Sequence, residues 1–161
     1  VDEFSQFARL PNTKPEPSDL KVIIQNIAEM YNDRDDGIVL SLNSQDELPI
    51  FSFDPEQIKR ALVNLIENAI DAAATVRPVS LSARLDEAGE KIVLEISDRG
   101  RGIAPENFRK LFQPYFSTKG RGTGLGLAIV RRIVSEHHGR IYAERNEQKG
   151  SRFIIELPLN Y

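Results

Sequence analysis

The 161-residue chain has no cysteine, no tryptophan, a single methionine and only two histidines, His137 and His138. Without cysteine there is neither a disulfide framework nor a thiolate metal site, and two adjacent histidines argue against an all-protein zinc site. A cytoplasmic compartment fits that absence. Long apolar runs are missing as well: none approaches the roughly 18 residues that crossing a bilayer requires, and the opening VDEFSQFARL lacks the charged-then-apolar layout of a signal peptide. The chain as given is expected to be soluble and to make no membrane contact. A net charge of -3 argues against general nucleic-acid binding.

What is present suits one globular domain. Hydrophobic residues make up 40% of the chain and charged ones 28%, which excludes a disordered tail, a collagen-like repeat or a rod. Charge and glycine are unevenly spread. Arg99 to Arg132 carries eight basic residues against one acid, Glu106, together with six of the ten glycines. Basic side chains beside exposed backbone N–H groups suit a small polyanion, and a solvated loop with incidental charges has the same composition.

Val1, Phe4, Phe7 and Ala8 share one helical face with no cap before them, so the chain is expected to begin inside a longer helix. Pro11, Pro15 and Pro17 predict an extended linker, and Ser18 a cap for a helix from about Asp19 to Tyr31. Ile38, Leu40 and Leu42 alternate as a strand, and Ile50, Phe51 and Phe53 suggest a second. Asp54, Pro55 and Gln57 have the form of an N-cap, a first-turn proline and a capping-box partner, opening a helix expected to reach about Val76. A hairpin over Val79–Leu85 and Lys91–Ser97, a helix over Leu125–His138 and a strand pair over Arg140–Glu144 and Ser151–Leu157 complete the pattern. Three helices on five or six mainly antiparallel strands predict a two-layer α/β sandwich with a mixed sheet, not a doubly wound one.

Three stretches can carry chemistry. On the helix from Pro55, Asn64, Asn68 and Asp71 fall within about 60° of one another, flanked by Glu67, opposite the apolar arc of Ile58, Leu62, Leu65, Ala69, Ala73 and Val76. Asparagine is a poor helix former, so either its amide oxygens serve a hard cation such as magnesium or the arc is a polar solvent face. Asp98 ends a strand and is followed by Gly100 and Gly102, so its carboxylate can meet an exocyclic amine such as that of adenine, with Ile103 beside the ring, or simply cap a turn. Gly122, Thr123, Gly124, Leu125, Gly126 and Leu127 open the last long helix, where free N–H groups and the helix dipole attract anions. Leu127 stands where the dinucleotide fingerprint needs glycine, and no Walker Gly-Lys-Ser/Thr is present, so a structural glycine turn is the alternative.

In order and spacing these stretches resemble a known family. Asn64-Leu65-Ile66-Glu67-Asn68 is similar to the N box, Asp98-x-Gly100-x-Gly102 to the first glycine box, Leu111-Phe112-Gln113-Pro114-Tyr115-Phe116 to the F box and Gly122-x-Gly124-x-Gly126-Leu127 to the second glycine box. Together they resemble the ATP-binding catalytic domain of bacterial sensor histidine kinases, in the superfamily shared with gyrase, the Hsp90 chaperones and the MutL proteins. Within it, VDEFSQFARLP and Pro-Tyr-Phe-Ser-Thr-Lys are most similar to nitrogen-regulation sensors of the NtrY type.

The resemblance implies the end of a dimerisation helix and linker over residues 1–17 and an ATP-binding domain with a Bergerat-type fold over 18–161. It implies that Asn68 holds Mg2+, that Asn64 contacts phosphate or the metal's waters, that Asp98 reads adenine, and that Phe112 to Gly122 is the ATP lid. Lys119 and Arg121 in that lid become candidates for neutralising phosphate charge, with mobile surface charge the alternative. Asp71 stands where many relatives place a lysine or arginine near phosphate, so no basic contact comes from there. Glu67 can orient an acceptor imidazole or form a surface salt bridge. Superfamily members that hydrolyse ATP carry glutamate at the position of Asn64, and an amide cannot act as a general base. Transfer to a histidine outside this chain is therefore the expected activity, with a response regulator receiver domain as partner and an inner-membrane sensor as the parent protein. His137 and His138 are expected to be structural, closing the last helix before Gly139. A nucleotide-sensing module without transfer activity and a clamp ATPase are the alternatives.

Overall fold

The computed structural model describes residues 11–32, 38–45, 47–72, 77–116, 125–147 and 149–160. The segment 1–10, expected to be a helix end, lies outside them. Strand β1 (Glu16–Ser18) is followed by helix α1 (Leu20–Asn32), strands β2 (Ile38–Ser44) and β3 (Phe51–Phe53) and helix α2 (Pro55–Ala72). The hairpin of β4 (Arg77–Leu85) and β5 (Lys91–Asp98), a 3-10 turn at Pro105–Asn107, helix α3 (Gly126–Glu136) and strands β6 (Arg140–Arg145) and β7 (Ser151–Pro158) follow. The main sheet has the order β2-β4-β5-β7-β6, and β1 pairs with β3 in a small separate sheet.

The sheet is mixed and mainly antiparallel, as expected: its parallel pair is β2 with β4, with Leu40 opposite Val79 and Leu42 opposite Leu81. Helix α2 lies between them in the chain and supplies the crossover that parallel neighbours need. The proline segment is extended as expected but also bonded: Glu16 to Ser18 pair with Phe53 to Phe51, and proline is tolerated in so short an edge strand.

Local chemistry explains the helix ends. Asp19, not Ser18, caps α1: its carboxylate accepts the Lys21 N–H at 3.0 Å, while the Ser18 hydroxyl, held within β1, donates back to the Glu16 carbonyl at 2.8 Å. Asp54 caps α2 as expected, accepting the Gln57 N–H at 3.2 Å. The reciprocal half of the capping box is absent, because the Asp54 N–H donates to Nε2 of His137 at 2.9 Å. Helix α3 ends in a Schellman motif, with the His138 N–H donating to Ser135 and the Gly139 N–H to Val134. His138 itself takes the left-handed conformation, at φ 59°. Gly139 is required for a different reason: a Cβ there would run into the Glu156 carbonyl oxygen.

The core lies between the helices and one face of the sheet. Helix α2 buries Ile58, Leu62, Leu65 and Ala69 as its periodicity predicts, and also Ala61, Ile66 and Ile70; Ala73 and Val76 lie outside the described residues. Leu65 is fully enclosed, so truncating it to alanine costs about 3 kcal/mol. The other face of the sheet keeps a charged cover over Val93 and Ile154. Arg152 pairs with Glu95 at 3.0 Å and with Glu144, and these acids hold its guanidinium above its ordinary value. Burial, reinforced by a hydrogen bond to Glu156, pushes the Tyr142 phenol up. The site residues named by the sequence lie elsewhere, on α2, at the end of β5 and at the start of α3.

Candidate nucleotide-binding site

The C-terminal half of α2 presents Asn64, Glu67 and Asn68 half-buried and Asp71 exposed, on the face opposite its packed residues. Directly beyond α2 in space lies the end of β5. The Arg101 N–H donates to the Ala72 carbonyl at 3.2 Å, bringing the turn after Asp98 against the last residue of α2. Gly100 permits that approach, since a Cβ there would run into the Ala72 carbonyl, whereas Gly102 is needed for its backbone, at φ +78°. The two glycines of the motif therefore have different jobs.

Asp98 is only 2% exposed and its carboxylate is held on one side. Oδ1 accepts the N–H groups of Gly100 at 2.8 Å and Ser151 at 3.3 Å. Oδ2 accepts the Ser151 hydroxyl at 3.0 Å and has no other donor among the described residues. A carboxylate oxygen has two lone pairs, so Oδ2 keeps capacity for one more N–H from a ligand. Asn146 braces the same strand end, donating to the Ser97 hydroxyl at 2.8 Å and the Asp98 carbonyl at 3.0 Å. Gly150, at φ +90°, lets the chain turn closely around Asp98. Sequence reasoning misses Ser151, Gly150 and Asn146. Their one visible signal is a Gly-Ser pair opening the final strand, and nothing local ties it to Asp98, 53 residues earlier.

Ile103 is half-buried and packs on the core margin, available as an apolar wall. Helix α3 begins at Gly126 with Leu125 buried at the N-cap position, where no side chain caps the helix. Leu127 is half-buried against the core. Lys119, Arg121, Gly122, Thr123 and Gly124 lie outside the described residues, as does all of the lid beyond residue 116. Among the described residues no group of three acidic, histidine or cysteine side chains converges as a metal cage. A cation here would rest on the two amides, water and a ligand's own oxygens, the arrangement magnesium favours.

Comparison with known proteins agrees with this geometry. The model of a family described as histidine kinase-, DNA gyrase B-, and HSP90-like ATPase matches residues 53–161. The chain belongs to that ATPase family. It is 35% identical over 164 residues to the sensor histidine kinase ZraS of Escherichia coli K12, covering 99% of this chain and 34% of that protein. The nitrogen regulation protein NtrY of Azorhizobium caulinodans is 35% identical over 148 residues, 88% of this chain and 19% of its own length. The chain thus spans about a third or less of the length of these two relatives. Among solved structures, full-length ShkA in complex with AMPPNP superposes with a TM-score of 0.84 at 27% identity, over 97% of this chain and 34% of that one. The histidine kinase ThkA in complex with the response regulator TrrA gives 0.79 at 27% identity, over 92% of this chain and 42% of that one. The α/β sandwich is therefore that of histidine kinase catalytic domains, as the sequence motifs implied.

A groove of about 550 Å³ lies beside α3, lined by Phe112 and Pro114, from the first half of the expected lid, and by Ala128, Arg131, Arg132, Ser135, Glu136 and His138. It contains none of the asparagine, Asp98 or glycine-box residues. The hydrogen-bonding chemistry of Asp98, not the size of a hollow, locates the candidate nucleotide site.

Proposed function

We propose that this domain binds Mg-ATP and donates its γ-phosphoryl group to a histidine on a dimerisation helix of its own parent sensor. The observation that carries the reading is the buried Asp98 carboxylate, pinned by Gly100 and Ser151 with one oxygen still able to accept. An adenine amine satisfies that oxygen, and Ile103 flanks the ring. The AMPPNP named with ShkA is a nucleotide of the required class. From the adenine end the triphosphate runs between α2 and the start of α3, where Asn64 contacts phosphate and Asn68 holds the metal. Lys119 and Arg121 screen the β and γ phosphates, and the backbone of Gly122 to Leu127 supplies N–H donors. Mg2+ would supply Lewis-acid neutralisation of the phosphate oxygens.

In the transfer, the bond from the γ phosphorus to the bridging oxygen breaks as one to an imidazole nitrogen forms, and ADP leaves with the electron pair. Asn64 cannot take a proton from water, which disfavours hydrolysis and leaves the supplied imidazole as acceptor. Glu67, one turn away on the same helix, can orient that imidazole. Passage of the phosphoryl group to a response regulator receiver domain follows by analogy with the ThkA–TrrA pair. The parent is an inner-membrane sensor of the NtrY type with this domain on its cytoplasmic side.

Calorimetric titration with ATP in magnesium buffer tests the site. Asp98→Asn keeps an oxygen for the Gly100 and Ser151 N–H groups and offers its NH2 to the Ser151 hydroxyl, so it folds yet meets adenine with a donor. It should bind at least tenfold more weakly, and Asn68→Ala should lose the magnesium dependence. Labelled ATP mixed with an acceptor helical hairpin should label the hairpin only. Label on the isolated chain would sink the transfer reading, and binding without any transfer would favour a nucleotide sensor.

A further inference from the structure

Three buried polar side chains gather at the end of α2 far from Asp98: Asp54, Gln57 and His137. The Asp54 carboxylate accepts the Gln57 N–H at 3.2 Å and the Lys14 N–H at 2.9 Å. Gln57 accepts the Thr13 hydroxyl at 2.8 Å and donates to the Pro11 carbonyl at 2.9 Å. His137 accepts the Asp54 N–H at Nε2, and its Nδ1 lies 2.8 Å from the Ile133 carbonyl. A backbone N–H only donates and a carbonyl only accepts, so these partners require a neutral imidazole carrying its hydrogen on Nδ1. Pro11 to Lys14 are thus bonded directly to the first turn of α2 and, through Asp54 and His137, to the last turn of α3.

We propose that this cluster is a coupling device: the seating of residues 11–14 against Asp54 and Gln57 sets the relative position of α2 and α3, and with it nucleotide affinity. The proposal rests on the nucleotide reading above only for its functional readout. Asn68 lies eleven residues beyond Gln57, about 16 Å along the axis of α2, and the N-terminus of α3 lies eleven residues before His137, at a similar distance. Neither Gln57 nor residues 11–14 belong to the proposed site. Lifting the segment would strip three hydrogen bonds from the Gln57 amide and one Asp54 oxygen and open the first turn of α2 to water. Both helices would feel it as packed, rigid elements. Among the described residues, these bonds are the first that the chain makes with α2. Reciprocity then demands that bound nucleotide hold residues 11–14 more firmly in place.

Hydrogen exchange on the whole 161-residue chain, first without nucleotide, tests the coupling. Gln57→Ala should speed exchange of the Lys14 amide and, several-fold, of the amides in the first turn of α3, about 16 Å along that helix from His137. Thr13→Val retains the shape, removes only the hydroxyl donor and leaves the core intact, so it should give the same pattern more weakly. With Mg-AMPPNP the wild-type Lys14 amide should slow, and Gln57→Ala should bind the nucleotide about five- to tenfold more weakly. If Lys14 is freed while α3 exchange and nucleotide affinity stay within twofold of wild type, the segment is a passive tether and the proposal falls. If wild type binds no nucleotide but α3 still responds to both variants, the coupling stands and the ATP-donor reading falls.

Discussion

The two buried polar clusters of this domain differ in what their hydrogen bonds connect. Around His137 the two ring nitrogens, the two carboxylate oxygens of Asp54 and both ends of the Gln57 amide have partners drawn from the segment ahead of β1, the start of α2 and the end of α3. At Asp98 three bonds from Gly100 and Ser151 fix one carboxylate at the end of β5, next to the turn that meets the last residue of α2. The first arrangement ties together elements distant in the chain; the second orients a single group where the nucleotide is proposed to bind. Neither burial nor a spare lone pair alone marks a functional polar group. Its place among the other site residues does.

The sharpest way to break the Asp98 side is Gly150→Ala. A Cβ there would run into the Asp98 carbonyl oxygen and approach Oδ1 to 2.7 Å, from a backbone at φ +90° that alanine disfavours. The expected loss is about 3 kcal/mol of stability, read by urea denaturation, and nucleotide binding should go with it. An unchanged midpoint would show that the turn around Asp98 is looser than the geometry requires.

On the His137 side, His137→Ala orphans the Asp54 N–H and leaves a cavity, so about 2 to 3 kcal/mol should be lost. The same denaturation curve reads it, and a loss below about 0.5 kcal/mol would mean that water replaces the ring without penalty. Gly126→Ala sharpens the contrast among the motif glycines. Gly126 is the first residue of α3, with negative φ and open space where the new methyl group would stand, so alanine should stabilise the domain by about 0.5 to 1 kcal/mol. Destabilisation there would point to a tight contact from the lid.

The smallest effect belongs to Asp86, in the turn between β4 and β5. The Lys91 N–H, and to a lesser degree that of Glu90, hold its carboxyl below the usual range, against the opposing cost of burial. A carboxylate with a depressed folded value contributes stability at pH above the unfolded value of about 3.9 and loses it as pH falls through the folded one. Acid titration of the wild type should therefore show a slight extra loss below about pH 4 that Asp86→Asn lacks. Coincident profiles would remove the turn from the acid response.

Much of the site can be read from local pattern. Asn64 and Asn68 share a helical face because of their spacing, and Asp98 sits at a strand end because the alternation of Ile92, Leu94 and Ile96 stops there. Ser151 cannot be read, since only strand pairing in three dimensions brings its N–H and hydroxyl to a carboxylate 53 residues away. The structural role of His137 is legible in its place before Gly139, but its partner is not, because the Asp54 N–H lies 83 residues upstream.

Sequence by itself determined the elements, the buried arc of α2, the capping aspartate at its start and the family, because each depends on residues within a turn or two or on ordered motifs. Tertiary structure alone decided that β2 runs parallel to β4, that β7 inserts between β5 and β6, and that residues 11–18 are bonded to the domain. It also decided which distant groups meet each buried polar side chain. Those outcomes depend on which distant backbone and side-chain groups meet once α2 and α3 pack on the sheet, and no local preference encodes such a meeting.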